Sequence, residues 1–310
     1  MAIPERLRCN LELPVMVAPM FLISNPALTI AACKAGIIGT FPSLNARSAA
    51  DYESWLEQIG AALDETDAAY GVNLIVGKQN GRLAEDLEIT VRRQVPLVIT
   101  SFGADHDVVA AVHDYGGTVF HDVASARHAE IAAQAGVDGL IVLTAGAGGH
   151  TGWLNPFAVL NEVRAVFDGT ILLAGGMSTG RDVAAARMMG ADLAYMGTRF
   201  IATREASVHP DYHAMLIASR AKDVLATRGI SGTPANFLTR SLTANGLDPA
   251  LFQSATGPLP VLEERGLRPW KDIWSAGQGV GAITDVPSVA ELVERLSADY
   301  AGAIGAVSAP

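Results

Sequence analysis

The sequence predicts an α/β fold: a (β/α)8 barrel of the TIM type, with a mostly helical excursion covering its C-terminal face. Three observations carry this. Short apolar runs alternate with amphipathic segments as far as about residue 200; eight such runs occur at even spacing; and glycine-rich stretches fall at the exits of the later runs. Alternating strands and helices are the α/β signature. Eight units favour closure into a barrel, which places its chemistry at the C-terminal strand ends. A doubly wound sheet is the rival, because strand order is invisible in sequence.

The candidate strands are VMVAP (15–19), IIGTF (37–41), YGVNLI (70–75), LVITS (97–101), TVFH (118–121), GLIVL (139–143), ILLA (171–174) and LAYM (193–196). Each is a short apolar run of strand length, as a strand buried on both faces requires. Helical patterns lie between them at 26–34, 49–63, 83–93, 107–115, 125–135, 156–167 and 180–189. The rhythm then breaks. Residues 208–228 read as helical, and 229–270 are rich in Gly, Pro, Asn and Thr without strand alternation. The barrel is therefore assigned to 1–204 and 271–310, and the excursion to 205–270. A glycine-rich piece spans 274–283, and Pro287 opens a last helix at 288–296 that returns to the barrel wall.

Half of the 310 residues are apolar and 17% are charged, enough to fill a large core and too little charge for a disordered chain. The formal charge of −10 argues against a nucleic-acid or anionic-membrane partner. Cys9 and Cys33 form no metal-type or redox-type pair. The first residues, MAIPERLRCNLELP, carry charges and proline where a signal peptide needs an apolar run. No stretch has the apolar length of a membrane span. A cytoplasmic protein acting on a small molecule is the expectation; oligomeric state is left open.

The segment 144–205 holds most of the chemistry: TAGAGGHTG, LLAGGMSTGRD and AYMGTRFIATRE. Gly175-Gly176 and Gly197-Thr198 sit at the seventh and eighth exits, where barrels hold phosphate. Glycine permits close backbone approach, and successive amides can form an anion nest. Ser178-Thr179 then open a helix whose N-terminus adds positive charge. This suggests a phosphate monoester held without lysine or arginine, with Arg181 and Arg199 read as surface or structural; the bland alternative is ordinary turn glycines. His150, flanked by Gly146, Gly148, Gly149 and Gly152, is the candidate catalytic residue. It could take a proton from a carbon acid, hold an anion or protonate a carbanion; otherwise it is a solvated loop histidine. His121 and His128 are weaker candidates. Ala18-Pro19-Met20 form a rigid ledge at the first strand's end: either the support of a flavin ring or a plain strand end. Asn73 and Ser101 must satisfy polar groups amid apolar runs, toward a flavin or a neighbouring loop. There is no P-loop, HExxH, EF-hand or GxSxG pattern, and His209 and His213 lack a third ligand, so no metal is expected.

Taken together and in this order, these segments resemble the nitronate monooxygenase family, formerly the 2-nitropropane dioxygenases, over nearly the whole chain. Ala147-Gly148-Gly149-His150 with Gly152, Leu173-Ala174-Gly175-Gly176, Met196–Phe200 read as MGTRF, and Ala276-Gly277-Gln278-Gly279 carry the resemblance. It implies noncovalent FMN in the barrel. Ala18, Pro19, Met20, Asn73, Ser101 and Gly149 would surround the flavin; Gly175, Gly176, Gly197 and Thr198 would hold its phosphate. His150 would face substrate, and Gln278 would close the pocket edge.

The resemblance implies oxidation of alkyl nitronates with O2 to carbonyl compounds and nitrite. FMN-dependent enoyl-thioester (enoyl-ACP or enoyl-CoA) reductases using NAD(P)H and NADH:quinone reductases are similar too, and a flavin binder without turnover is a third class. Two positions depart from relatives: Gly146 stands where many carry a glutamate, and Asp122 stands where some branches carry a lysine after the fifth strand. The second leaves no cation there for the N1–C2=O region of a reduced flavin.

Overall fold

The structure, a computed structural model, describes residues 3–77 and 79–308. Its strands are β1 (Val15–Val17), β2 (Gly39–Pro42), β3 (Tyr70–Ile75), β4 (Leu97–Ser101), β5 (Thr118–Val123), β6 (Gly139–Leu143), β7 (Gly149–His150), β8 (Thr170–Ala174), β9 (Leu193–Met196), β10 (Val224–Thr227) and β11 (Ala235–Leu238). Eight of them form one parallel sheet in the order β1-β9-β8-β6-β5-β4-β3-β2. The Val17 amide donates to the Ile38 carbonyl at 2.8 Å and the Ile38 amide to the Val15 carbonyl at 3.1 Å, which closes β1 onto β2. The sheet is therefore the expected barrel, not the doubly wound rival.

The helices begin where side chains can satisfy their first amides. Asn25 caps the helix Pro26–Lys34, Ser48 caps Ala49–Ala62, Ser125 caps Ala126–Gln134, and Asn155 caps Pro156–Arg164. Strand alternation sorts the apolar residues into two layers. Met16, Ile38, Leu97, Ile99, Phe120, Ile141, Leu172 and Leu193 fill the barrel interior together with Ile3 and Leu7. Arg6, on the helix bearing Leu7, donates to the carbonyls of Gly116 and Gln94, just before β5 and β4. That helix therefore closes the N-terminal end, so the pocket can open only at the other. Val72, Val98, Val119 and Leu140 point outward against the helices. The last helix, Val289–Ser308, extends beyond the expected bounds and packs against Gly180–Met188. A Cβ at Gly180 would stand 2.1 Å from the Leu296 carbonyl oxygen, so glycine sets this close approach.

The excursion carries more helix than strand, but two details of the sequence reading are corrected. Residues 208–228 are not one helix: Pro210–Ala218 is helical and β10 follows. Residues 229–270 are not strandless, because β11 pairs antiparallel with β10 and with β7. Ala235 lies opposite His150, and Asn236 opposite Gly149. The excursion is thus hydrogen-bonded to the loop bearing the candidate catalytic histidine. No described helix is long and apolar enough to cross a membrane.

Candidate active site

A cavity of about 500 Å³ opens at the C-terminal end of the barrel, within the size range of small-molecule and cofactor sites. Ala18, Pro19, Met20, Asn73, Ser101, Gly149, His150, Gly175, Gly176, Gly197 and Thr198 all line it. These residues come from strand exits far apart in sequence, and barrel closure brings them together. Gln278 is the exception. Its side chain is exposed, while Gly277 and Gly279 reach the cavity. The Gln278 amide donates to the Gly146 carbonyl at 3.0 Å, so this segment contributes backbone geometry to the site.

At one end the cavity is walled by glycine. Gly176 has φ +71°, a left-handed conformation natural to glycine, and a Cβ there would meet nothing within 4 Å. Its amide donates to the Gly146 carbonyl at 3.1 Å. Among the described residues, the amides of Gly175, Met177, Gly197 and Thr198 have no acceptor within the protein. Thr198 Oγ1 accepts from the Gly277 amide at 2.8 Å, which leaves its O–H able to donate elsewhere. The amides leading into the helix Gly180–Met188 are not offered to this end as the sequence suggested, and that of Arg181, in its first turn, donates to Asp299 Oδ2 at 3.1 Å. Asp182 Oδ2 accepts from the amides of Ser178 and Thr179, both at 2.8 Å. Nor does an arginine enter. Arg199 is buried and pairs with Asp285 at 3.0 Å, and Arg181 pairs with Asp299 at the surface.

His150 lies at the mouth, where it is exposed. Its ring stands edge-on to Phe102 at 5.1 Å and at a steep angle to Trp270 at 5.3 Å. Trp270 is held in turn by stacking on the buried Phe237. Phe102 and Trp270 have φ of +64° and +68°, conformations that cost a bulky residue energy and that concentrate at functional sites. Neither imidazole nitrogen is hydrogen-bonded to the protein among the described residues. Although the residue is exposed at the mouth, the protein packed around it lowers the His150 pKa below the ordinary histidine value, so the neutral base predominates at neutral pH.

The floor carries a polar relay. Asn73 Nδ2 donates to the Ile99 carbonyl at 3.1 Å and to Ser101 Oγ at 2.8 Å, and Ser101 Oγ donates to Asp122 Oδ2 at 2.5 Å. Burial pushes the Asp122 carboxyl up to about 6, with the Ser101 bond opposing. His121 does not reach the cavity. Its strand runs on to Val123, so alternation turns Phe120 and Asp122 inward and His121 outward, where Nδ1 lies 2.7 Å from Thr100 Oγ1. The outlying histidines are occupied otherwise: His209 caps the helix Pro210–Ala218, and His213 Nε2 meets the Ile201 carbonyl.

Sequence reasoning missed Asn236, the residue that fixes the histidine loop. It is buried in β11, and its Nδ2 lies 2.6 Å from the Ala147 carbonyl, 3.0 Å from that of Ala145 and 3.3 Å from Thr151 Oγ1. Asn236→Ala is expected to leave these carbonyls underpaired, at about 1–3 kcal/mol of stability, and to lower turnover more than flavin affinity. Thermal unfolding and steady-state kinetics check this; unchanged values for both would deny Asn236 that role.

The nitronate monooxygenase family model matches residues 43–299. The chain belongs to the nitronate monooxygenase family. It is therefore an oxidoreductase of a flavin-using group. A nitronate monooxygenase of Paraburkholderia phytofirmans is 28% identical, covering 93% of this chain and 92% of its own. A Rhodococcus jostii protein named (3aS,4S,5R,7aS)-5-hydroxy-7a-methyl-1-oxo-octahydro-1H-indene-4-carboxyl-CoA dehydrogenase is 25% identical, covering 96% of this chain and 95% of its own. The solved structure of nitroalkane oxidase from Streptomyces ansochromogenes superposes with a TM-score of 0.80 at 23% identity, covering 98% of this chain and all of that one, and bears on the fold. All three matches span the barrel and the excursion alike.

Proposed function

We propose that the protein is an FMN-dependent nitronate monooxygenase, converting alkyl nitronates and O2 to carbonyl compounds and nitrite. The observation that carries this is what one cavity brings together: a glycine wall with unpartnered amides, and at the mouth a neutral histidine framed by aromatic rings. A phosphate monoester suits the glycine wall, where no Cβ intrudes at Gly176 and backbone N–H groups await an acceptor. A flat ring suits the middle, bounded by Ala18, Pro19, Met20 and Leu143. Bound FMN would supply electron acceptance and the reaction with O2.

The protein's own contribution is position and proton control. The lone-pair nitrogen of neutral His150 takes the α-proton of a nitroalkane, and the resulting imidazolium holds the nitronate oxygens by charge. Phe102 and Trp270 fix the ring's plane and exclude water from one side of it. A second reading, NAD(P)H-dependent reduction of an enoyl thioester, is favoured by the CoA thioester in the Rhodococcus relative's name.

The two readings separate by reductant. Without O2, an alkyl nitronate is expected to bleach the bound flavin within the time of one turnover, and NADH or NADPH far more slowly, as followed by stopped-flow absorbance. Rapid bleaching by a nicotinamide, with no response to several nitronates, would replace nitronate oxidation with the thioester reading.

A further inference from the structure

The cavity floor holds one carboxyl group whose use is unassigned. Asp122 Oδ1 is buried without a hydrogen-bond partner among the described residues. An unsatisfied buried polar atom is costly and implies an absent partner. The polarity of the relay says which kind of partner. The Ile99 carbonyl can only accept, so the amide of Asn73 must present Nδ2 to it and hence also to Ser101. Ser101 Oγ then accepts from Asn73, and its single hydrogen goes to Asp122 Oδ2. Oδ2 is thereby fixed as an acceptor. If the carboxyl carries a proton, that proton sits on Oδ1.

We propose that Asp122 binds the cofactor as a neutral carboxylic acid, its Oδ1–H donating to a carbonyl or ring-nitrogen acceptor of the flavin. This rests on the flavin reading of the cavity. The step is one of proton uptake: the carboxylate takes a proton from solvent, the ring enters, and a neutral donor meets a neutral acceptor. The surroundings favour that form. No lysine or arginine lines the cavity among the described residues. Ser101 on β4 and Asn73 on β3 are uncharged, Tyr195 on β9 stays a neutral phenol because burial raises its pKa, and Leu143 on β6 and Ala174 on β8 do not titrate. His121 faces the other side of β5. Tyr212 also stays a neutral phenol because burial raises its pKa, and His150, across the mouth, is the remaining titratable group lining the cavity among the described residues. Burial already raises the Asp122 pKa, and a ligand that removes remaining water raises it further.

The linkage has a definite sign. Binding raises the carboxyl's pKa, so affinity is flat below the pKa of the free protein and falls above it, by about tenfold per pH unit when protonation is obligatory. The full chain, stripped of flavin, is titrated with FMN and with riboflavin between pH 5 and 9. FMN's phosphate itself titrates near pH 6, but riboflavin lacks it, and the ratio between variants cancels it. Wild-type affinity relative to Asp122→Asn is expected to fall with rising pH, because the amide donates from the same place without taking up a proton. Calorimetry in buffers of different ionisation enthalpy is expected to show proton uptake by the wild type and less by Asp122→Asn. Asp122→Leu, which has no donor, is expected to bind weakly at every pH. Parallel pH profiles for wild type and Asp122→Asn, with FMN bound by both, would overturn the role of Asp122 alone. Failure of every protein to bind FMN at any pH would overturn the flavin reading and this proposal with it.

Discussion

His150→Ala is expected to retain FMN and to lose about 10²–10⁴-fold in turnover of a neutral nitroalkane, the usual contribution of a positioned general base. The side chain lines the mouth and makes no hydrogen bond among the described residues, so truncation should spare the fold and the glycine wall. The lowered pKa gives the expected pH profile its direction. The histidine acts as base when neutral, so wild-type rate on the nitroalkane rises as pH climbs through a value below the ordinary histidine pKa, then levels off. The variant should lose that rise. A preformed nitronate needs no deprotonation, so its turnover should fall much less if His150 is chiefly a base. A comparable loss on both substrates would make it chiefly an anion holder. Full activity on both, with FMN still bound, would leave His150 as pocket lining.

What was legible in the sequence followed from burial. β3, β4, β6 and β9 occupy the stretches their apolar runs marked, because a strand covered on both faces is mostly apolar, and the polar exceptions Asn73, Thr100 and Ser101 each have a hydrogen-bond partner. β10 and β11 escaped because they lie outside the strand–helix rhythm that marked the equally short β9: β10 ends the stretch 208–228 that reads as helical, and β11 sits in one rich in Gly, Pro, Asn and Thr. β7 is only Gly149–His150, too short for any period to register. The same limit governed the site. Glycine exits and His150 announced themselves by residue type. Phe102, Trp270 and Asn236 reach the histidine only through loop conformation and the pairing of β11 with β7. Asp122 was noticed as a missing cation; its relay to Ser101 and Asn73 depends on the registers of three neighbouring strands. Gln278 misled in the opposite sense, since the motif around it marks a backbone turn, Gln278–Ala282, and its side chain points away.

Gly176→Asp is expected to weaken FMN binding by at least about 10²-fold, and the reason can be isolated from backbone strain. Any substitution here must adopt φ near +71°, which costs roughly 1–2 kcal/mol for an ordinary L-residue and less for Asp or Asn, whose short polar side chains tolerate that region. Space is not limiting, because a Cβ meets nothing within 4 Å. Gly176→Asn is thus the control: nearly the same shape and the same backbone tolerance, without the charge. Two like unit charges about 4 Å apart at an effective dielectric of about 20 repel by roughly 4 kcal/mol, or about 10³-fold in affinity, and solvent at the open cavity reduces this. No nearby cation relieves it, since Arg199 is engaged by Asp285 and Arg181 by Asp299. The aspartate variant should therefore bind FMN far more weakly than the asparagine variant, and riboflavin nearly as well. Added salt should narrow the gap for FMN only. Fluorescence titration of both variants with both ligands decides it. Equal FMN affinity in Gly176→Asp and Gly176→Asn would move the phosphate away from this glycine wall, and with it the orientation of the flavin against His150.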